Sequence, residues 1–197
     1  MSSSVDSNQE ITLHSNVFKV IEVNNTGSQA NIYYGIIIDM DAFPEYDVPY
    51  MQGSVVLKQF PLRTDHDGFK KELKILKKIK SLKLKSNGGF PRILSAKLSN
   101  SVGEILMSYC GKDMFEFCSV NTSLLDPGQH VRLGFKELSE FGIQLTSQLQ
   151  FLHQLGYTHN DMKLQNICFD KPNNSYTLID FASAECLYNK NGQLKSV

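Results

Sequence analysis

Within one stretch of eight residues, His159-Asn-Asp-Met-Lys-Leu-Gln-Asn166, the chain sets out a carboxylate, an ammonium and a primary amide at fixed spacing. A second carboxylate, Asp180, follows Asn166 by fourteen positions, preceded by apolar Leu178-Ile179 and followed by Phe181. These residue types suit proton transfer and the stabilisation of negative charge. A carboxylate accepts a proton, a lysine offsets negative charge, and hard oxygens hold Mg2+. Such a set at set spacing is rare by chance in a chain of ordinary composition.

The elements that must position these groups are readable from periodicity. Residues 1–14 form a polar tail. Alternating and β-branched runs predict strands at Phe18 to Val23, Asn31 to Ile38 and Ser54 to Phe60, with a turn over Asn24 to Gln29 and a loop from Asp39 to Gly53. The period then changes. Phe69, Leu73, Leu76 and Ile79 share one face of a helix expected over Asp67 to Leu84. Gly88-Gly89-Phe90-Pro91 breaks the chain before strands at Ile93 to Leu98 and Glu104 to Tyr109. A long amphipathic helix follows from Leu133 to Leu155, carrying Phe141, Leu145, Leu149 and Leu152 and stopped by Gly156. A strand pair around Ile167 to Phe169 and Tyr176 to Ile179 then leads to Asp180.

Composition narrows the setting. The chain has 197 residues, enough for one sizeable core or two small lobes, and its 41% hydrophobic and 20% charged residues are those of a globular protein. The formal net charge is zero, so no global field points to nucleic acid or to a membrane surface. The lysines between Lys70 and Lys85 read as a solvated helix face, with an acidic or phosphate-rich partner as the alternative. Cys110, Cys118, Cys168 and Cys186 have no metal-ligand spacing and point to a reducing compartment, the cytosol or nucleus. No signal peptide or membrane-spanning run is expected.

Five strands with one helix after the third, followed by a mostly helical part, together with H-x-D-x-K-x-x-N and the later Asp-Phe pair, resemble a eukaryotic-type protein kinase. The resemblance covers roughly residues 15–190 and has a loose casein-kinase-one-like flavour. It implies an α+β protein-kinase-like fold: a five-stranded small lobe with hinge over 15–111 and a partial, mostly helical large lobe over 112–197. It implies ATP and Mg2+ as cofactors and a protein hydroxyl as acceptor, with Lys163 leaning towards serine/threonine kinases.

By the same resemblance Asp161 is the catalytic base, Lys163 lies beside the transferring phosphate, and Asn166 and Asp180 hold metal. Lys58, in Val55-Val56-Leu57-Lys58, contacts the α- and β-phosphates, and Glu72 pairs with it. Asn25, Gly27 and Ala30 stand where a glycine-rich loop covers the phosphates, although only the middle glycine remains. Ile32 and Val56 cover one face of the adenine and Cys168 the other. Met107 gates the back pocket, and Tyr109 and Cys110 lie in the Ser108 to Gly111 hinge.

The pattern also departs from the family. Asn160 replaces the usual arginine, and Ala182 replaces the glycine of D-F-G. Only seventeen residues follow Asp180, with no A-P-E-like segment. The expectation is a fragment of a longer kinase, a truncated gene product, or a half completed by another protein. Part of the apolar face of the Leu133 to Leu155 helix then lacks cover, which a partner or a C-terminal segment would supply. The competing reading is a pseudokinase-like module that binds nucleotide without transferring phosphate.

Overall fold

The computed structural model describes residues 18–24, 30–39, 54–84, 88–123, 133–189 and 191–195. The predicted tail, most of the 39–53 loop, and both Asn25 and Gly27 lie outside the described residues. The chain divides into two compact units. One takes the described residues up to Phe69 with Arg92–Tyr109, and the other takes Lys70–Pro91 with the residues from Cys110 onward.

The first unit is built on an antiparallel sheet of β1 (Phe18–Asn24), β2 (Asn31–Ile37), β3 (Ser54–Pro61), β4 (Ile93–Leu98) and β5 (Val102–Ser108), in the order β1-β2-β3-β5-β4. The β4–β5 hairpin is tighter than the sequence suggests. Ser99 takes the Val102 amide on its Oγ at 3.1 Å and donates its own amide to the Val102 carbonyl at 2.9 Å. The short turn lets β5 begin at Val102 rather than at Glu104. Alternation assigns the two sheet faces different work. One buries Phe18, Tyr33, Ile37, Val55, Leu57, Leu94 and Leu106 in a continuous core, with Val20 and Val23 against it. The other carries Ile32 directly across from Lys58, and Val56 across from Met107.

The helix α1 (Leu62–Ser81) starts before the predicted position. Its first turn is separated from the rest by Asp65, whose backbone is non-helical at φ −139°, ψ 48°. Asp65 Oδ1 accepts the Gly68 amide at 3.1 Å, so this carboxylate caps the longer helical segment, whose periodicity is what the sequence reading detects. Phe69, Leu76 and Ile79 are buried, as predicted from their spacing, whereas Leu73 is only half-buried and Ile75, not part of the predicted stripe, is buried together with Glu72.

In the second unit, β6 (Lys112–Asp113) leads into α2 (Met114–Ser123), and α3 (Phe135–Gln154) follows. The α2 helix was not anticipated, and Asp113 Oδ1 caps it by accepting the Glu116 amide at 2.8 Å. Gly156, at φ +85°, ends α3 as expected, and its amide reaches back to His153 O at 2.8 Å. The strand β7 (Tyr157–Thr158) pairs with β10 (Glu185–Cys186), while β8 (Ile167–Asp170) lies between β6 and β9 (Ser175–Leu178). Lys78 near the end of α1 donates to Leu155 O at 2.8 Å and lies over the Tyr157 ring, tying α1 to the C-terminus of α3. Along the predicted apolar stripe of α3, Phe141, Leu145 and Leu149 are half-buried and Leu152 is buried, while the exposed apolar residues of the helix are Phe135, Leu138 and Ile143, which the stripe did not include.

One buried carboxylate in the first unit has an unfavourable setting. Glu104 on β5 is 1% exposed; its Oε1 accepts from Gln59 Nε2 at 3.0 Å, but Oε2 is buried without a hydrogen-bond partner. Burial raises the carboxyl above the ordinary glutamate range, against the opposing effects of the Gln59 hydrogen bond and the Lys97 charge. The folded state therefore binds this proton more tightly than the unfolded state. The protonated form's stabilisation is fully present below the unfolded pKa and is lost as pH rises through the raised folded value. Glu104→Gln should stabilise the chain by about 1 kcal/mol at neutral pH, with the gain fading as pH falls below the ordinary glutamate value. Urea melts at about pH 7 and about pH 4 check this. A variant no more stable than the parent at neutral pH would contradict it.

Candidate active site

The catalytic segment is held from both ends. On its N-terminal side, the buried His159 ring has Nε2 2.9 Å from Ile179 O, and its Nδ1 accepts the Asp161 amide at 3.3 Å. On its C-terminal side a 3-10 turn, Leu164–Asn166, feeds directly into β8, and Asn166 is 4% exposed. Between them Asn160 adopts φ +62°, a left-handed conformation that asparagine tolerates better than most side chains.

Three of the predicted residues meet. Asp161 Oδ2 accepts from Lys163 Nζ at 2.7 Å and from Asn166 Nδ2 at 2.9 Å. Asn166 Nδ2 also donates to the Asp161 backbone carbonyl at 2.8 Å. Both of these contacts use the amide nitrogen, which turns the amide oxygen away from Asp161. The Lys163 hydrogen bond, followed by that from Asn166, holds the Asp161 carboxyl below the ordinary aspartate range, against opposing effects of partial burial and the Asp180 charge.

Asp180 arrives from the other strand of the hairpin. Ile167 faces Leu178 across β8–β9, and one step further the Ile179 amide donates to Asn166 O at 2.9 Å. Asp180 itself sits at φ +65°, where an L-residue is strained, and its Oδ1 accepts the Ala182 amide at 3.3 Å. Phe181 is fully buried. Its ring lies 5.9 Å from Phe90 and 5.4 Å from His159, and Phe90 continues the stack to Phe151 at 5.6 Å.

Asn166 and Asp180 offer hard oxygen donors, a set that fits Mg2+ with its remaining positions left to water and phosphate. Cys168 is buried, and burial, followed by the neighbouring Cys110, Asp113 and Glu116, pushes its thiol well above the usual range. It is therefore a neutral, apolar surface. Cys110 is half-buried. Glu72 is 1% exposed.

The first unit gathers the other predicted residues on one sheet face. Lys58 is 7% exposed, with Nζ 4.9 Å above the Phe60 ring. Register places Ile32 beside it and Val56 two residues back on the same face, next to Met107. Ala30 is buried just ahead of β2. Tyr109 is exposed and meets Tyr34 edge-on at 5.9 Å.

The protein kinase domain family matches residues 51–197, about three quarters of the chain. This chain belongs to the protein kinase family. Among its relatives, the probable serine/threonine-protein kinase fnkB of Dictyostelium discoideum is 48% identical over 46 residues, covering 23% of the chain and 9% of the relative. Serine/threonine-protein kinase SKS1 of Saccharomyces cerevisiae is 33% identical over 100 residues, 51% of the chain and 18% of the relative. Fatty acyl-CoA synthetase and RNA processing-associated kinase 1 of the same yeast is 26% identical over 155 residues, 77% of the chain and 16% of the relative. The chain thus spans less than a fifth of the length of each of these relatives. The casein-kinase-one flavour finds no support in their names.

Sequence reasoning passed over Gly89, Phe90, Gln144 and Gln148, which contact Phe181 or the strand that leads to Asp180. Gln148 carried a readable signal. It stands three residues after Leu145 and four before Leu152, a polar residue on an otherwise apolar stripe.

The Asp161–Lys163 contact gives a direct test. Lys163→Met should raise the Asp161 pKa towards the ordinary aspartate value, moving the acid limb of its titration to higher pH. Carbon-detected NMR titration of the Asp161 carboxyl reads this without any assay of turnover. An unmoved titration would mean that the ammonium does not set the charge of this group.

Proposed function

We propose that this chain carries the phosphoryl-transfer residues of a serine/threonine protein kinase, passing the γ-phosphoryl group of ATP to a protein hydroxyl. The observation that carries the reading is the Asp161 carboxylate. Its Oδ2 is taken by Lys163 and Asn166, whereas no hydrogen bond to Oδ1 exists among the described residues. That oxygen is available to a substrate hydroxyl. The hydroxyl oxygen forms a bond to the γ-phosphorus as the bond to the β-phosphate oxygen breaks, and the hydroxyl proton passes to Oδ1.

A carboxylate held below its usual range is a weak base. Its service is to orient the hydroxyl and to take the proton late, which suits a loose phosphoryl transition state. Lys163, fixed on the same carboxylate, stands close enough to offset charge on the transferring group. Asn166 and Asp180 would hold Mg2+, which when bound neutralises phosphate charge. Lys58 would meet the nucleotide phosphates, with Ile32 and Val56 against the base.

Serine/threonine kinases among the relatives support the acceptor class. All four cysteines are free thiols, which supports a reducing setting such as the cytosol or nucleus. A second reading, nucleotide binding without transfer, is favoured by Ala182 in place of the D-F-G glycine.

The two readings separate in one comparison. Asp161→Asn should abolish phosphoryl transfer to a serine/threonine peptide library while keeping the Mg-ATP thermal shift, on the order of 5–10 °C at saturating ligand. Undiminished transfer by the variant would remove Asp161 from the chemistry. A parent that shifts with Mg-ATP yet transfers nothing would favour the binding module.

A further inference from the structure

The strand that delivers Asp180 is an edge strand. In the sheet order β6-β8-β9, β8 covers only one side of β9, so the other side presents unpaired backbone groups. In this chain that open side is satisfied by side chains of α3 and by the loop before β4. Gln144 Oε1 accepts the Tyr176 amide at 2.9 Å, and Gln144 Nε2 donates to Asn174 O at 3.1 Å. One helical turn further, Gln148 Nε2 donates to Tyr176 O at 2.7 Å. The Leu178 amide then donates to Gly89 O at 2.9 Å. Two glutamines at i and i+4 and one backbone carbonyl thus act in place of a missing neighbouring strand, up to two residues before Asp180.

The energetics of Gln148 argue that this is more than packing. It is 4% exposed, and its Oε1 is buried with no hydrogen-bond partner. A half-satisfied buried amide costs more than an apolar side chain of the same size. The surroundings have also been shaped around it. Gly89 has φ +83°, and a Cβ there would lie 2.1 Å from Gln148 Nε2, so the loop closes on the amide only with glycine at this position.

We propose that Gln144 and Gln148 are positioning residues for Asp180. They fix the outer edge of β9, so that the strained residue at its end keeps its carboxylate in place for metal. This rests on the reading of Asp180 as a metal ligand.

The test measures ATP affinity as a function of Mg2+, and in EDTA, for the full chain and for Gln148→Met and Gln144→Met. Hydrogen exchange of the peptide spanning 175–181 runs beside it. Loss of a residue that orients a metal ligand typically weakens metal binding about 10–100-fold. The expected result for Gln148→Met is a rise in the Mg2+ half-saturation towards the lower end of that range, about tenfold. Metal-free nucleotide affinity should be unchanged, and exchange should be faster in 175–181 alone. The half-exposed Gln144 should show the same pattern more weakly, and it keeps the test open if Gln148→Met does not fold. A lower melting temperature with unaltered Mg2+ half-saturation would make the glutamines packing residues only and overturn the proposal. A parent with no Mg2+-dependent ATP binding would instead overturn the metal reading of Asp180, and this proposal with it.

Discussion

The amide of Ile179 donates to the carbonyl of Asn166, and the chemistry of the second unit depends on that bond. It extends the β8–β9 hairpin one step past its last residue pair, so the two metal-binding candidates lie at the same end of one hairpin. A single backbone hydrogen bond contributes about 1 kcal/mol net. The left-handed backbone at Asp180 costs of order 1–3 kcal/mol. The bond alone does not hold that conformation. The fully buried Phe181 ring, in contact with Phe90 and His159, supplies the remainder, and His159 returns to the same strand through Ile179 O. The histidine of H-x-D-x-K-x-x-N is in this sense a structural brace whose work lies next to Asp180.

The first unit solves a different problem, the burial of an ammonium. Lys58 is nearly inaccessible, and a buried charge requires compensation from its surroundings. Strand alternation separates this demand from the core. Val55 and Leu57 enter the apolar cluster on one side, while Lys58, between Leu57 and Gln59, turns to the side bearing Ile32 and Met107. A slip of one residue in β3 would exchange the two sets and bury the lysine in the aliphatic core.

The features legible in the sequence were those with a strong local period or a fixed spacing. The strands β1 to β4, the buried stripe of α1 and the stop at Gly156 follow from alternation, helical spacing and glycine. The Asp161, Lys163 and Asn166 cluster was legible because its members lie within one short turn, where sequence spacing is nearly spatial spacing. The α2 helix escaped because Met114–Ser123 has no clear apolar stripe, and the kink at Asp65 because it depends on one side-chain cap. Gln144, Gln148 and Gly89 were missed for a different reason. Their roles are defined by a strand 28 or more residues away, and neither propensity nor periodicity encodes that distance.

The exposed surface of α1 has a consequence for handling the molecule. Lys70, Lys71, Lys74, Lys77 and Lys80 all face solvent on a chain whose formal net charge is zero. Neutrality here is a cancellation between regions, and this helix carries a cationic face. An isoelectric point near neutrality will therefore misjudge its behaviour on a charged resin. At low ionic strength that face adheres to a cation exchanger, and at 0.1 M salt its reach contracts to about 10 Å.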